Sequence, residues 1–155
     1  MDIRPATLDD SENISKLISR LSEKFIAHEF TRAGAQELLN SMTPRAIEKY
    51  IRSGYEYHVA EVDGRVAGVI AMRDNSHLYH LFVAEEFQNR GIAGRLWRVA
   101  RESCLAKGNP GVFTVNASKY AQPVYEKFGF IAQSDPQEKN GVIFIPMKLA
   151  IPDNG

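Results

Sequence analysis

His77-Leu78-Tyr79-His80-Leu81-Phe82-Val83-Ala84-Glu85-Glu86-Phe87-Gln88-Asn89-Arg90-Gly91-Ile92-Ala93-Gly94-Arg95-Leu96-Trp97 changes its hydrophobic period part-way along. A β-rich run ends near Val83, and from Ile92 the apolar residues Ile92, Leu96, Val99 and Ala100 recur at helical spacing. The stretch therefore reads as a strand, a short acidic turn and a small-residue loop that opens a long helix. The first N–H groups of a helix have no intrahelical partner and carry the positive end of its dipole, so they favour a phosphate. Gly91, Ala93 and Gly94 would let one come close.

Bulk properties narrow the field. The chain has 155 residues, 44% of them apolar and 25% charged, which suits one globular domain over 1–155 with a sizeable core. Nineteen basic residues against nineteen acidic ones give no net field for nucleic acid or an anionic membrane surface. The single Cys104 excludes an intrachain disulfide. No apolar run is long enough for a membrane span or a secretory signal, so a cytoplasmic protein is expected.

Outward from the opening stretch, Tyr55–Val62 and Val66–Met72 read as antiparallel strands joined at Asp63-Gly64, with His77–Val83 the next strand. Ile3–Ala6 reads as an edge strand because Pro5 lacks an N–H. Asp9, Asp10 or Ser11 caps a helix with Ile14, Leu17, Ile18 and Leu21 on one face. A helix through Gln36 to Asn40 follows, then one capped by Thr43 with Pro44 in its first turn. The helix from Asn89 to Lys107 stops at Gly108-Asn109-Pro110-Gly111. Val112–Asn116 is a short strand, a helix begins near Pro123, and Ile131–Gln133 with Val142–Leu149 forms a final hairpin whose long connection ends at Asn140-Gly141.

The spacing Gln88-x-x-Gly91-x-Ala93 after Leu81-Phe82-Val83 resembles the acyl-CoA-binding segment of the GNAT superfamily of N-acyltransferases. Asn116-Ala117-Ser118-Lys119-Tyr120-Ala121-Gln122-Pro123-Val124-Tyr125-Glu126-Lys127-Phe128-Gly129-Phe130 is similar to the family's later segment, where an asparagine ends the fifth strand and a helix closes on Tyr-Glu-x-x-Gly-Phe. Both occur in the family's order and together cover nearly the whole chain.

The resemblance implies an α/β (α+β) GNAT fold: a mixed, largely antiparallel sheet of six to seven strands, the fourth and fifth splayed, flanked by about four helices. It implies acetyl-CoA as cosubstrate, no metal, and a primary amine of a small molecule or of a peptide or protein as acceptor, in a monomer or homodimer. The pantetheine arm would pair with the backbone of Leu81 and Val83, and a free N–H at the splay, that of Phe82, would serve the oxyanion. The pyrophosphate would fall on Gln88, Asn89, Arg90, Gly91, Ile92, Ala93 and Gly94, with Arg90 as counter-charge. Asn116 and Lys127 are further candidates for the CoA arm, although Lys127 reads equally as a solvated surface lysine.

Tyr125 matches the family's general-acid tyrosine; a buried packing tyrosine is its plainer reading. His77 stands where several family members carry a glutamate or histidine that deprotonates the amine, and its imidazole would titrate in the useful range. Strand alternation places His77, Tyr79, Leu81 and Val83 on one face, and Leu78, His80 and Phe82 on the other. His80 is then a core or interface histidine, and Tyr79 either holds a water for His77 or packs. The family walls its acceptor with the final hairpin and with the segment between the first helices, which here holds Phe25, His28, Glu29, Phe30 and Arg32. Two functions compete: an acyl-CoA-dependent N-acetyltransferase, and a catalytically silent acyl-CoA-binding regulatory module.

Overall fold

The computed structural model describes residues 1–152. Its strands are β1 (Asp2–Pro5), β2 (Glu56–Val62), β3 (Arg65–Arg73), β4 (His77–Val83), β5 (Val112–Ala117), β6 (Ile131–Ala132), β7 (Gln137–Lys139) and β8 (Val142–Ala150). Its helices are α1 (Ser11–Phe25), α2 (Arg32–Asn40), α3 (Pro44–Arg52), α4 (Ile92–Ala106) and α5 (Gln122–Phe128). The sheet order is β1-β2-β3-β4-β5-β8-β6, with β7 paired to β8 off that path. Every pairing is antiparallel except that of β4 with β5. The expected mixed sheet is present, with one strand and one helix more than the resemblance implied. Among the described residues no helix is long and apolar enough to cross a membrane.

Local chemistry accounts for most boundaries. Asp63 and Gly64 take φ of 50° and 74°, the left-handed pair that a two-residue hairpin requires, and Asn140 and Gly141 repeat it at 55° and 82° between β7 and β8. The Thr43 side chain caps α3 by accepting from Ala46 N–H, ahead of Pro44. Pro5 sits on the edge strand, where its missing N–H harms no central ladder.

Two layers of helix cover the sheet. A Cβ at Gly68 would meet Leu96 and Ile92 of α4, so α4 lies on that face. Trp97 of α4 packs on Phe113 of β5 and on Phe128 and Phe130 at the end of α5. On the opposite face Tyr50 of α3 meets Tyr79 and His80, and α3 packs on α1. Ile14, Ile18, Ile47, Val59, Val69, Ile70, Leu78, Leu96 and Phe113 are fully buried between these layers.

One irregularity sets the shape of the centre. The register of β3 with β4 steps from Met72↔Leu78 to Ala71↔His80, which leaves Tyr79 as an extra residue, a β-bulge. The expected alternation is therefore corrected. Beyond the bulge His80 joins His77 and Tyr79 on the α1/α3 face, the Tyr79 and His80 rings lying 4.4 Å apart. Phe82 shares that face, opposite Val69 and Val59, whereas Leu81 and Val83, opposite Ile70 and Gly68, carry their side chains to the α4 face.

Candidate active site

β4 and β5 are paired only at His77↔Thr114 and Leu78↔Val115. Past that point each strand continues with its other neighbour, β4 with β3 to Val83 and β5 with β8 to Ala117, so a wedge opens between them. The phase of the ladders shows which backbone groups face it. Ala84 N–H donates to Ala67 C=O at 2.8 Å, and antiparallel pairs alternate. Phe82 and His80 therefore exchange bonds with β3, and the peptide groups of Leu81 and Val83 point into the wedge. The Phe82 N–H therefore bonds within the β3–β4 ladder and is not free for an oxyanion; the neighbouring N–H that faces the wedge is that of Leu81. Across the wedge, Thr114 N–H donates to Ser76 C=O at 3.0 Å, which turns Thr114 and Asn116 toward β4.

A cavity of about 1060 Å³ occupies the wedge and extends to both faces of the sheet. His77, Leu81, Phe82, Val83, Gln88, Asn89, Gly91, Ile92, Ala93, Gly94, Asn116, Tyr125 and Lys127 all line it. Arg90 is not among the lining residues; its guanidinium sits over the Phe87 ring at 5.4 Å.

On the α4 side the loop from Ala84 ends at Gly91, whose φ of 77° is accessible to glycine without strain and turns the chain into α4. The first bond of that turn runs from Arg95 N–H to Gly91 C=O at 3.1 Å, and Gly91 offers no side-chain cap. The N–H groups of Ile92, Ala93 and Gly94 are thus left for a ligand. A Cβ at Gly94 would meet nothing within 4 Å, so the space above these donors is open. Gln88 plays a different part from the expected one. Its backbone N–H goes to Glu85 C=O (3.2 Å) and its side chain donates to Val83 C=O (3.0 Å), which ties the loop to the end of β4.

Tyr125, on α5, is 5% exposed and packs its ring on Phe128 and Phe130. Its hydroxyl has no hydrogen-bond partner among the described residues, and burial alone raises its pKa well above the ordinary tyrosine range. His77 is held by a 2.8 Å hydrogen bond between Nδ1 and Thr114 Oγ1, which spans β4 and β5 at the closed end of the wedge. Burial, with help from the Arg73 charge, lowers its pKa to about 4, so it is neutral at physiological pH but titrates below the range expected of a free imidazole.

His80 lines the same cavity, 5% exposed, with Nδ1 3.0 Å from the Tyr57 hydroxyl. Burial lowers its pKa to about 3. The buried Tyr57 phenol has no other hydrogen-bond partner among the described residues, which favours the tautomer in which its O–H donates to Nδ1. The proton of the neutral imidazole is then on Nε2, which makes His80 a donor rather than a base.

Of the expected acceptor-wall residues only Phe30 lines the cavity. Phe25 instead stacks on Tyr120 at 4.8 Å, and one carboxylate oxygen of Glu29 is sealed away without a partner. The last hairpin, expected as the other acceptor wall, does line the cavity through Lys139, Asn140, Val142, Ile143 and Phe144, whereas sequence reasoning missed Arg73 and Glu37. It also missed that α2 and the β7–β8 turn touch. Thr31 N–H donates to Gly141 C=O at 3.3 Å, and a Cβ on Gly34 would overlap that carbonyl.

Comparison with known proteins gives a family and a fold. Residues 26–151 match the model of the acetyltransferase (GNAT) domain. A GCN5-related N-acetyltransferase of Rhodopseudomonas palustris is similar at a TM-score of 0.81 and 20% identity, over 97% of this chain and 95% of the other. The PaiA N-acetyltransferase of Thermoplasma acidophilum, solved in complex with coenzyme A, gives 0.76 and 16% over 97% and 98%. A ribosomal-protein-alanine N-acetyltransferase of Brucella melitensis gives 0.69 and 20% over 97% and 100%. No curated protein sequence matches.

Proposed function

Because the chain belongs to the GNAT acetyltransferase family, we propose that it moves the acetyl group of acetyl-CoA onto a primary amine by direct attack through a tetrahedral intermediate. The observation that carries this reading is the wedge, in which the unpaired peptide groups of Leu81 and Val83 face a cavity that Tyr125 also lines. The pantetheine arm would add to β4 as a short extra strand on those groups. Val83 C=O already accepts from Gln88, so the Leu81 C=O and the Val83 N–H carry the pairing. The pyrophosphate would rest on the N–H groups of Ile92, Ala93 and Gly94, with Lys127 within the same cavity.

The amine nitrogen attacks the thioester carbon, and the carbonyl oxygen gains charge beside the Leu81 N–H. In the tautomer whose Nδ1–H donates to Thr114 Oγ1, Nε2 of His77 carries the lone pair that takes the proton from nitrogen once the N–C bond has made it acidic. The C–S bond then breaks, and Tyr125 donates a hydrogen bond to the departing sulfur. A silent acyl-CoA-binding module would have no use for a cavity-lining tyrosine whose hydroxyl has no partner among the described residues.

Calorimetric titration with acetyl-CoA tests the reading. Gly94→Leu fills the open space above the helix donors without backbone strain, and is expected to weaken acetyl-CoA by about tenfold or more, the equivalent of one or two lost charged hydrogen bonds. Equal affinity in the two proteins would remove the α4 terminus from the account.

A further inference from the structure

Arg73 and His80 line the cavity on the α1/α3 side of the sheet, and the acetyl-CoA contacts proposed above use neither. Arg73 ends β3 and is paired in register with His77. Its guanidinium lies 5.9 Å from the centre of the Tyr79 ring, and its Nε, sealed from solvent, faces only the neighbouring Asp74 carboxylate without hydrogen-bond geometry, which leaves the Nη groups for a ligand. The ion pair it makes is with its neighbour Asp74 at 3.4 Å, and that carboxylate is 82% exposed, which leaves the cation weakly neutralised. A guanidinium fork matches a carboxylate with two parallel bonds, and it loses less freedom in doing so than an ammonium would.

His80 adds a second donor. Its Nδ1 is taken by Tyr57, so the nitrogen left for a ligand is Nε2, which carries the proton in the tautomer that the Tyr57 O–H favours. A neutral N–H donor suits an oxygen on the acceptor and offers nothing to an ammonium. Lys139, on the β7–β8 hairpin, also lines this side, against one carboxylate, the exposed Glu37 of α2. A bare ammonium would thus approach His77 past a cation, whereas a molecule that brings its own negative charge would not.

The geometry points to an acceptor that carries a carboxylate close to its amine, an amino acid or a near relative, with the carboxylate on the Arg73 guanidinium and the His80 Nε2–H and the nitrogen turned to His77. This rests on the acetyltransferase reading and narrows its substrate. Bond changes are those already given, the carboxylate being held and not transformed.

The test compares amino acids with their decarboxylated counterparts, phenylalanine with phenethylamine and lysine with cadaverine among them, by CoA release in the wild type, Arg73→Gln and Arg73→Lys. The wild type is expected to favour the carboxylated member by about tenfold or more in kcat/KM, the value of a charged hydrogen bond or two. Arg73→Gln should bring that preference close to unity through the KM of the carboxylated member, and Arg73→Lys should keep part of it. Equal or better use of the decarboxylated amines by the wild type would overturn the proposal, as would an Arg73→Gln protein that loses both members alike. Calorimetry of the protein–CoA complex separates the two levels. If CoA binds but no amino acid binds the complex or is acetylated, this proposal falls and the acetyltransferase reading stands; if acetyl-CoA itself does not bind, both fall.

Discussion

Replacing Tyr125 by phenylalanine removes one oxygen atom that bonds to no described residue, so its effects on folding and on chemistry should separate. The ring contacts with Phe128 and Phe130 survive, and no buried partner is orphaned. Stability should therefore change by no more than ~0.5 kcal/mol, as for substitutions that touch no packed or paired group. The catalytic effect follows from the direction of the tyrosine's shift. Burial holds its pKa well above ~10, whereas a thiol has a value of ~8.5, so complete proton transfer to the departing sulfur would be uphill by at least ~2 kcal/mol. Tyr125 is better suited to hydrogen-bond the developing thiolate than to surrender its proton. A hydrogen bond to a charged group contributes about 1.5–3 kcal/mol, which corresponds to a loss of about 10- to 150-fold in the rate of acyl transfer. Single-turnover CoA release isolates that step from product release, with acetyl-CoA affinity and the thermal midpoint measured alongside. An undiminished single-turnover rate would refute the role, and so would a loss matched by a fall in folded protein. The same raised pKa implies that Tyr125 adds no alkaline limb to the pH profile below about pH 10.

His77, lowered to about 4, should place the acidic limb of kcat/KM near pH 4 and not near the ordinary histidine value of ~6.5, and His77→Gln should abolish that limb; a limb that persists unshifted assigns it to another group. His80 is also depressed in the folded state, to about 3, so the unfolded chain binds more protons below ~6.5. Its contribution is fully present above that pH and is lost as pH falls toward 3. A stability curve by urea denaturation that stays flat from pH 7 to 4 would contradict the burial of these rings. Tyr57→Phe strands the His80 Nδ1 and should destabilise by about 1–3 kcal/mol, whereas Tyr57→Phe with His80→Leu removes both partners and should recover much of that loss and flatten the acid slope. A double variant as unstable as the single one would show that packing, not the hydrogen bond, sets the effect.

Turn and cap chemistry made much of this fold legible. Asp63-Gly64, Asn140-Gly141, Thr43-Pro44 and the position of Pro123 each dictate local geometry, and the structure follows them. The glycine-rich start of α4 was legible for the same reason. The bulge at Tyr79 was not, because the run from His77 to Val83 alternates without a glycine or other break; the extra residue shows only in how β4 meets β3 and parts from β5. The misplaced face of His80 followed from that one residue. The start of α2 was also hidden. Thr31 caps it by accepting from Gly34 N–H, but a glycine in a first turn weakens the helical signal. That glycine is there for a tertiary reason, the carbonyl of Gly141 pressed against it. β7, with Gln137, Glu138 and Lys139 all exposed, carries no apolar pattern and exists through its pairing with β8.

That glycine-to-glycine touch between α2 and the tip of the last hairpin has a mechanical consequence. Main chain meets main chain there, with the Thr31 hydroxyl packed alongside Gly141, so their separation is set chiefly by peptide dimensions and little by rotamers. Shear of the hairpin along its own axis is thereby transmitted directly to the helix that carries Glu37 and Leu38 into the cavity. The rim on that side behaves as one stiff collar although its two halves come from opposite ends of the chain.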